Sequence, residues 1–309
     1  MKLHQLRYLC EIAKQGLSFS KAAAAVHTSQ PGISKQMRLL EEELGVELFV
    51  RSGNRIVALT EPAQRIVDIA NVILQESENL KATAKEFLAG DTGPLKIAAT
   101  FTLARYALPK VLQRFVARYP RVELKLLQGS SDQVCRLAAS GECDVGLTTR
   151  PAEAFPELLL LEYCSLPRAL MVPSGHPLAK AKHLTLKAIS SHPLITLDFG
   201  SYGQTKMRER FLRNGLEPNI VFSGSNVDVV KAFVEAGLGI AILPRLAYQP
   251  SRDPGLRALD VDHLFEPHHG CLAIRKNHYL RGYAYDFIEM VAPRTDRRTV
   301  QRALFGPTS

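Results

Sequence analysis

Leu3, Leu6, Leu9, Ile12 and Ala13 recur at the spacing of one helical face, and the pattern stops at Gly16, a residue suited to ending a helix. A short second helix is predicted over residues 21–26, rich in alanine, with Ser18 or Ser20 as its cap. A third follows Thr28 or Ser29, either of which can cap it. Pro31 sits in its first turn, where a missing amide hydrogen costs nothing, and Gly45 stops it. This third segment has two unlike faces. Ile33, Met37, Leu40 and Leu44 form an apolar stripe, while Gln30, Ser34, Lys35 and Arg38 gather on the other side. Those polar types read base edges and phosphates, and the acidic run Glu41, Glu42 and Glu43 lies at the far end, where it would point away from a phosphate backbone. Residues 46–51 and 55–59 read as two short strands around a Gly53-Asn54 turn, a wing that carries Arg51 and Arg55.

Thr60 and Pro62 start another helix, which meets no further Gly or Pro until about Leu88. Ile66, Ile73, Leu80 and Phe87 fall at steps of seven, with Ile69 and Ala84 beside them. A helix of roughly 27 residues spans about 40 Å and carries a stripe it cannot bury on itself, so pairing with a second copy is expected. After the break at residues 89–94, strand-like runs (95–99, 122–128, 145–148, 170–172, 194–196, 220–222, 240–243 and 272–274) alternate with helical ones. A mainly parallel α/β arrangement is expected there.

Composition adds bounds rather than identity. The chain has 309 residues and a net charge of +9, which suits an anionic partner, but residues 1–60 hold only eight Lys/Arg against five Asp/Glu. The basic excess is therefore not confined to the end with the two-faced helix. Five cysteines at irregular spacing, with no CxxC pair, do not form a secreted disulfide framework. The first residues lack the apolar run of a signal peptide, and no stretch reaches the roughly 20 apolar residues of a membrane span. A cytoplasmic protein with no membrane role is expected.

The block TSQPGISKQMRLLEEELGVELFVR (28–51), within a continuous match of about sixty residues, resembles the N-terminal domain of LysR-type regulators. The resemblance implies a winged helix-turn-helix over residues 1–60, rich in α-helix, and a linker and dimerisation helix over 61–89. An α/β effector domain over 94–293 would then resemble periplasmic binding proteins. It would have two α/β subdomains, 94–163 with 265–293, and 164–264. Ser29, Gln30, Pro31, Ser34, Lys35, Arg38, Arg51 and Arg55 would contact double-stranded DNA as part of a homodimer or homotetramer.

Residues 97–109 (IAATFTLARYALP), 225–239 (SNVDVVKAFVEAGLG) and 284–288 (AYDFI) are similar to the sulfur-assimilation subgroup that includes CysB and Cbl. That likeness implies control of genes for sulfate, sulfonate or cysteine supply by sulfate, acetylserine or a related effector. Its hydroxyl ligands match Thr100, Thr102 and Thr149. The sequence departs from the subgroup pattern at Leu103, where a glutamine is usual, and at Tyr202, where a threonine is usual. A larger or less polar effector, or another pathway, follows from that departure.

Two other readings compete: a solute-binding protein without a DNA role, and an enzyme on an α/β scaffold. No GxSxG, HExxH or GxxxxGK[ST] motif favours the enzyme, and neither a cofactor nor a metal is expected. Gly237 and Gly239 read as a helix end rather than a nucleotide loop, because the apolar run follows them. His268, His269 and Cys271 are expected on a surface turn, Cys135 and Cys143 as buried thiols, and Arg294, Arg297, Arg298 and Arg302 as a solvated tail.

Overall fold

A computed structural model describes residues 1–53, 55–89, 91–181, 183–197, 202–266 and 268–305. The chain divides into two compact units, 1–88 and 89–309.

In the first unit, α1 (Leu3–Lys14), α2 (Phe19–Ala25) and α3 (Gln30–Leu44) precede a hairpin of β1 (Phe49–Ser52) and β2 (Arg55–Leu59), and α4 (Glu61–Ala89) follows. Leu9, Ile12, Ala22, Ile33, Leu40, Leu48 and Phe49 build one core. Two details differ from expectation. Leu44 is exposed, so the buried stripe of α3 is Ile33, Met37 and Leu40. The first wing strand begins at Phe49 rather than at residue 46, because the Leu48 amide is taken by Glu41 Oε1 at 2.8 Å instead of by a ladder partner. Glu41, from the acidic run at the end of α3, thus ties the helix to the start of the wing.

The second unit holds two five-stranded sheets built on one plan. In order along the chain it contains β3 (Gly93–Thr100), α5 (Phe101–Tyr106), α6 (Leu108–Arg118), β4 (Val122–Gly129), α7 (Ser131–Ala139), β5 (Val145–Thr149) and β6 (Leu158–Ser165). Then come β7 (Arg168–Pro173), α8 (Leu186–Ser190), β8 (Leu194–Leu197), α9 (Tyr202–Leu212), β9 (Ile220–Gly224), α10 (Val227–Glu235), β10 (Ile240–Pro244) and β11 (Leu256–Asp260). β12 (His269–Arg275), α11 (Gly282–Val291) and α12 (Arg297–Phe305) complete it.

One sheet runs β4-β3-β5-β12-β6 and the other β11-β7-β10-β8-β9. In each sheet four strands run the same way and one, β12 or β7, is reversed between two neighbours, so the expected mainly parallel arrangement is a mixed one with one antiparallel strand per sheet. The physical reason is the pair of crossings. β6 leads directly into β7 of the other sheet, and β11 leads back into β12, so neither can use the long helical crossover that a parallel neighbour needs. The crossings lie side by side, with the Leu166 amide donating to the His268 carbonyl at 2.6 Å.

Two further expectations are corrected. His269 and Cys271 lie in β12, paired on both sides, with Gly270 and Cys271 buried, so this stretch is a central strand and not a turn. The basic tail folds as α12: Val300 and Leu304 enter the core of the first lobe, and Arg297 lies 4.7 Å over the Tyr285 ring while Arg294, Arg298 and Arg302 stay exposed. Cys135 and Cys143 are buried, and burial pushes both thiols up to about 12.

Candidate nucleic-acid interface and effector cleft

Helix α3 is placed by its two ends. Ser29 Oγ accepts the Gly32 amide hydrogen at 3.2 Å, Pro31 occupies the first turn, and Gly45 closes the helix at φ +67° in the left-handed region. Its buried stripe fixes its rotation, which leaves Gln30, Pro31, Lys35 and Arg38 exposed and Ser34 half-buried. Gln30 Nε2 donates to Ser34 Oγ at 3.3 Å, and Arg38 sits 3.6 Å from Glu42, one turn on. Each contact is a weak surface one that a stronger partner can replace. Ser29 is exposed but spends its hydroxyl on the cap. Arg51 is exposed on the wing, and Arg55 opens β2 with its side chain outside the described part. An amide, a hydroxyl and two long cations on one convex helical face are the donors and acceptors that duplex DNA offers partners for.

In the second unit the carboxyl ends of the parallel strands face a cleft of about 430 Å³ between the lobes. The first lobe contributes Thr100 from the end of β3, Thr102 and Leu103 from α5, Ser130 and Ser131 after β4, and Thr149 at the end of β5. Ser131 Oγ and Thr149 Oγ1 are 2.7 Å apart, and the fully buried Thr148 donates to the Thr149 and Ser131 carbonyls, fixing both loops. Leu103 lies at the floor, only 1% exposed. The second lobe contributes Thr196, which accepts from Gln204 Nε2 at 2.9 Å, together with Met207, Ile242 and Leu246. Tyr202 begins α9, but its side chain lies outside the described part.

Arg168 and His268 line the cleft beside the crossings. Burial, with Arg168 and His269 nearby, pushes His268 down to about 4, so it is neutral at pH 7. Sequence reasoning missed Ser131, Thr196, Gln204, Arg168 and His268. Thr196 and Ser131 follow the same signal as Thr100, a hydroxyl at the carboxyl end of a strand, whereas Arg168 and His268 meet only because the crossings are adjacent.

A second link spans the lobes outside the cleft. The Tyr106 hydroxyl donates to Asp228 Oδ1, and Arg105 approaches Asp228 Oδ2 at 3.4 Å. Behind them Lys231, 7% exposed, donates to both Asp253 oxygens at 2.9 and 3.1 Å and to the Ala247 carbonyl at 2.9 Å. Its ammonium lies 5.2 Å from the Tyr106 ring centre.

A winged helix-turn-helix followed by a long helix and a two-lobed cleft domain defines a class, the DNA-binding transcriptional regulators that respond to a small molecule. Residues 3–64 match the bacterial regulatory helix-turn-helix model of the lysR family, and residues 88–296 match the LysR substrate binding domain. The chain belongs to the LysR family and lies close to its CysB/Cbl subgroup.

It is 41% identical over 306 residues to the transcriptional regulator CysB of Burkholderia cenocepacia, covering 99% of this chain and 98% of that protein. It is 40% identical over 293 residues to SsuR of the same organism, with 95% of each covered. Identity to cbl of Escherichia coli is 36% over 290 residues, 94% of this chain and 92% of that one. The crystal structure of the cofactor-binding domain of the Cbl regulator matches with a TM-score of 0.66 at 32% identity, covering 70% of this chain and 95% of that one. The solute-binding alternative has no role for the DNA-binding domain at residues 3–64. Among the described residues no cluster of metal-binding side chains occurs, and no helix is long and apolar enough to cross a membrane.

Proposed function

We propose that this regulator controls genes of sulfur supply, for sulfate, sulfonates or cysteine, in response to a sulfur-containing or related small molecule held in the interlobe cleft. The observation that carries the reading is the convergence of Thr100, Thr102 and Thr149 on one cleft, in a chain 36–41% identical along nearly its whole length to CysB, SsuR and Cbl regulators. Small hydroxyls at the carboxyl ends of strands offer hydrogen bonds to an oxyanion, and Arg168 adds a cation to the same lining.

On this reading α3 enters the major groove through Gln30, Ser34, Lys35 and Arg38, Ser29 and Pro31 set the depth of its first turn, and Arg51 and Arg55 reach the flanking backbone. Residues 1–60 form the DNA-binding domain and 61–89 the pairing helix. The effector domain, 94–293, divides into 94–163 with 265–293, and 164–264. Two-fold pairing through α4 favours an inverted-repeat operator, and pairs of dimers give a homotetramer. The protein works in the cytoplasm.

Gel shifts of the full chain on promoter fragments of sulfur-uptake genes, with and without sulfate or acetylserine, test the reading. A shift above the random-DNA background that changes with effector is expected. Binding no better than to random DNA overturns it.

A further inference from the structure

The cleft described above is larger and greasier than a bare oxyanion requires. Its volume of about 430 Å³ falls in the range of pockets that hold organic ligands, on the order of 300–1,000 Å³, and a lone tetrahedral anion would fill a small part of it. The lining is also divided by chemistry. Hydroxyls come chiefly from the first lobe, the second adds Arg168 and Thr196, and Leu103, Leu166, Met207, Ile242 and Leu246 supply apolar surface from both. These five side chains are held by the cores of the two lobes, so the apolar wall is a built surface rather than a chance exposure. A ligand with only polar oxygens would leave that wall against water. A ligand with an apolar body would cover it and touch both lobes at once, which gives it the differential contact that a closing cleft needs.

We infer that the effector is an organic oxyanion with an apolar body, a sulfonate or carboxylate on a short alkyl or aryl group, whose head meets the first-lobe hydroxyls and whose body lies on the apolar wall. The inference rests on the reading that this cleft is the effector site.

The test is calorimetric titration of the full chain, without DNA, with alkanesulfonates from methane- to hexanesulfonate, the carboxylates of matching chain length, and inorganic sulfate. Each added methylene should tighten binding about threefold to fourfold until the wall is covered, with sulfate the weakest binder. Sulfonates and carboxylates rising alike support the inference and show that the head is read as an oxyanion. One series rising alone supports it and identifies the head. Leu246→Gln should flatten the slope, whereas Thr100→Val should weaken every member alike and keep the slope. Sulfate binding as tightly as hexanesulfonate, or no dependence on length in either series, overturns it. If the same preparation still selects its promoter in gel shifts, a flat series sinks this inference alone. Loss of promoter selection with the slope intact sinks the regulatory reading instead.

Discussion

Arg38 and Ser34 sit on the exposed side of α3, while the cap at Ser29 and the stripe at Ile33 and Met37 hold the helix from behind. Removing either polar group leaves those supports untouched, so under the proposed DNA-reading role its effect falls on recognition and not on folding. Arg38→Ala and Ser34→Ala should each cost about 1–3 kcal/mol of discrimination between operator and scrambled DNA, read by fluorescence anisotropy at fixed salt, with unchanged melting temperature. Equal loss on both DNAs would mark them as phosphate contacts only. His268 makes a different prediction. Its folded pKa is depressed to about 4, so the folded state resists the proton that the unfolded chain takes up near 6.5. The stability it supplies is present above that unfolded value and is lost as pH falls from about 6.5 toward 4, by up to roughly 3 kcal/mol. Urea midpoints measured across that window should fall more steeply for the parent than for His268→Asn, and parallel curves would refute the assignment.

At the scale of elements, α4 shows what a repeat in the sequence can and cannot tell. The steps of seven through Ile66, Ile73, Leu80 and Phe87 suggested a pairing stripe, but Ile66 packs with Val67 into the core of its own domain, and the Phe87 side chain lies outside the described part. The apolar surface left over is Ile69, Val72 and Leu80, respectively 59, 50 and 71% exposed. Ile69→Glu with Leu80→Glu should therefore convert the oligomer to a smaller species in light scattering, because each side chain forfeits about 1.5–3 kcal/mol of burial. An unchanged mass would place the interface elsewhere. The helices of the first unit were legible because caps, stripes and stops agree. The interior strands of both sheets were legible as unbroken apolar runs. The strands that went unread, β6 and β11, each lie at one edge of a sheet and mix Glu162 or Arg257 among apolar residues, but the opposite edge strands β4 and β9 were read, so edge position alone does not account for the miss. Of the cleft hydroxyls, Thr100, Thr102 and Thr149 were legible through the resemblance to the CysB/Cbl subgroup, while Ser131 and Thr196 were missed. Arg168 and His268, a hundred residues apart in sequence, were missed as well, since only the adjacency of the two crossings brings them together.

At the scale of the two-lobed body, the link from Tyr106 and Arg105 to Asp228 joins the two lobes beside the cleft proposed to hold the effector. Thr100 occupies the cap position at the start of α5 and Thr102 lies in its first turn, both lining the cleft, and the helix ends at Tyr106, which grips α10 of the other lobe. A ligand that pulls on those threonines therefore acts on one end of a helix of less than two turns whose other end holds the lobes together. Lys231, buried against Asp253 and 3.5 Å from Asp228, keeps the second lobe's half of the link rigid. Burial and the hydrogen bond to Asp228 raise the Tyr106 phenol above its ordinary value, so it remains a donor throughout the physiological range. The link is partly open to solvent, which limits it to about 1 kcal/mol. Tyr106→Phe should accordingly weaken effector binding by roughly fivefold and enlarge the radius of gyration of the second unit in small-angle scattering. Asp228→Asn, which removes the charge that both Arg105 and Lys231 approach, should do more than Tyr106→Phe. If both variants bound effector as the parent does, the lobes would be held by their crossings alone, and α5 would carry the ligand's threonines without carrying its signal.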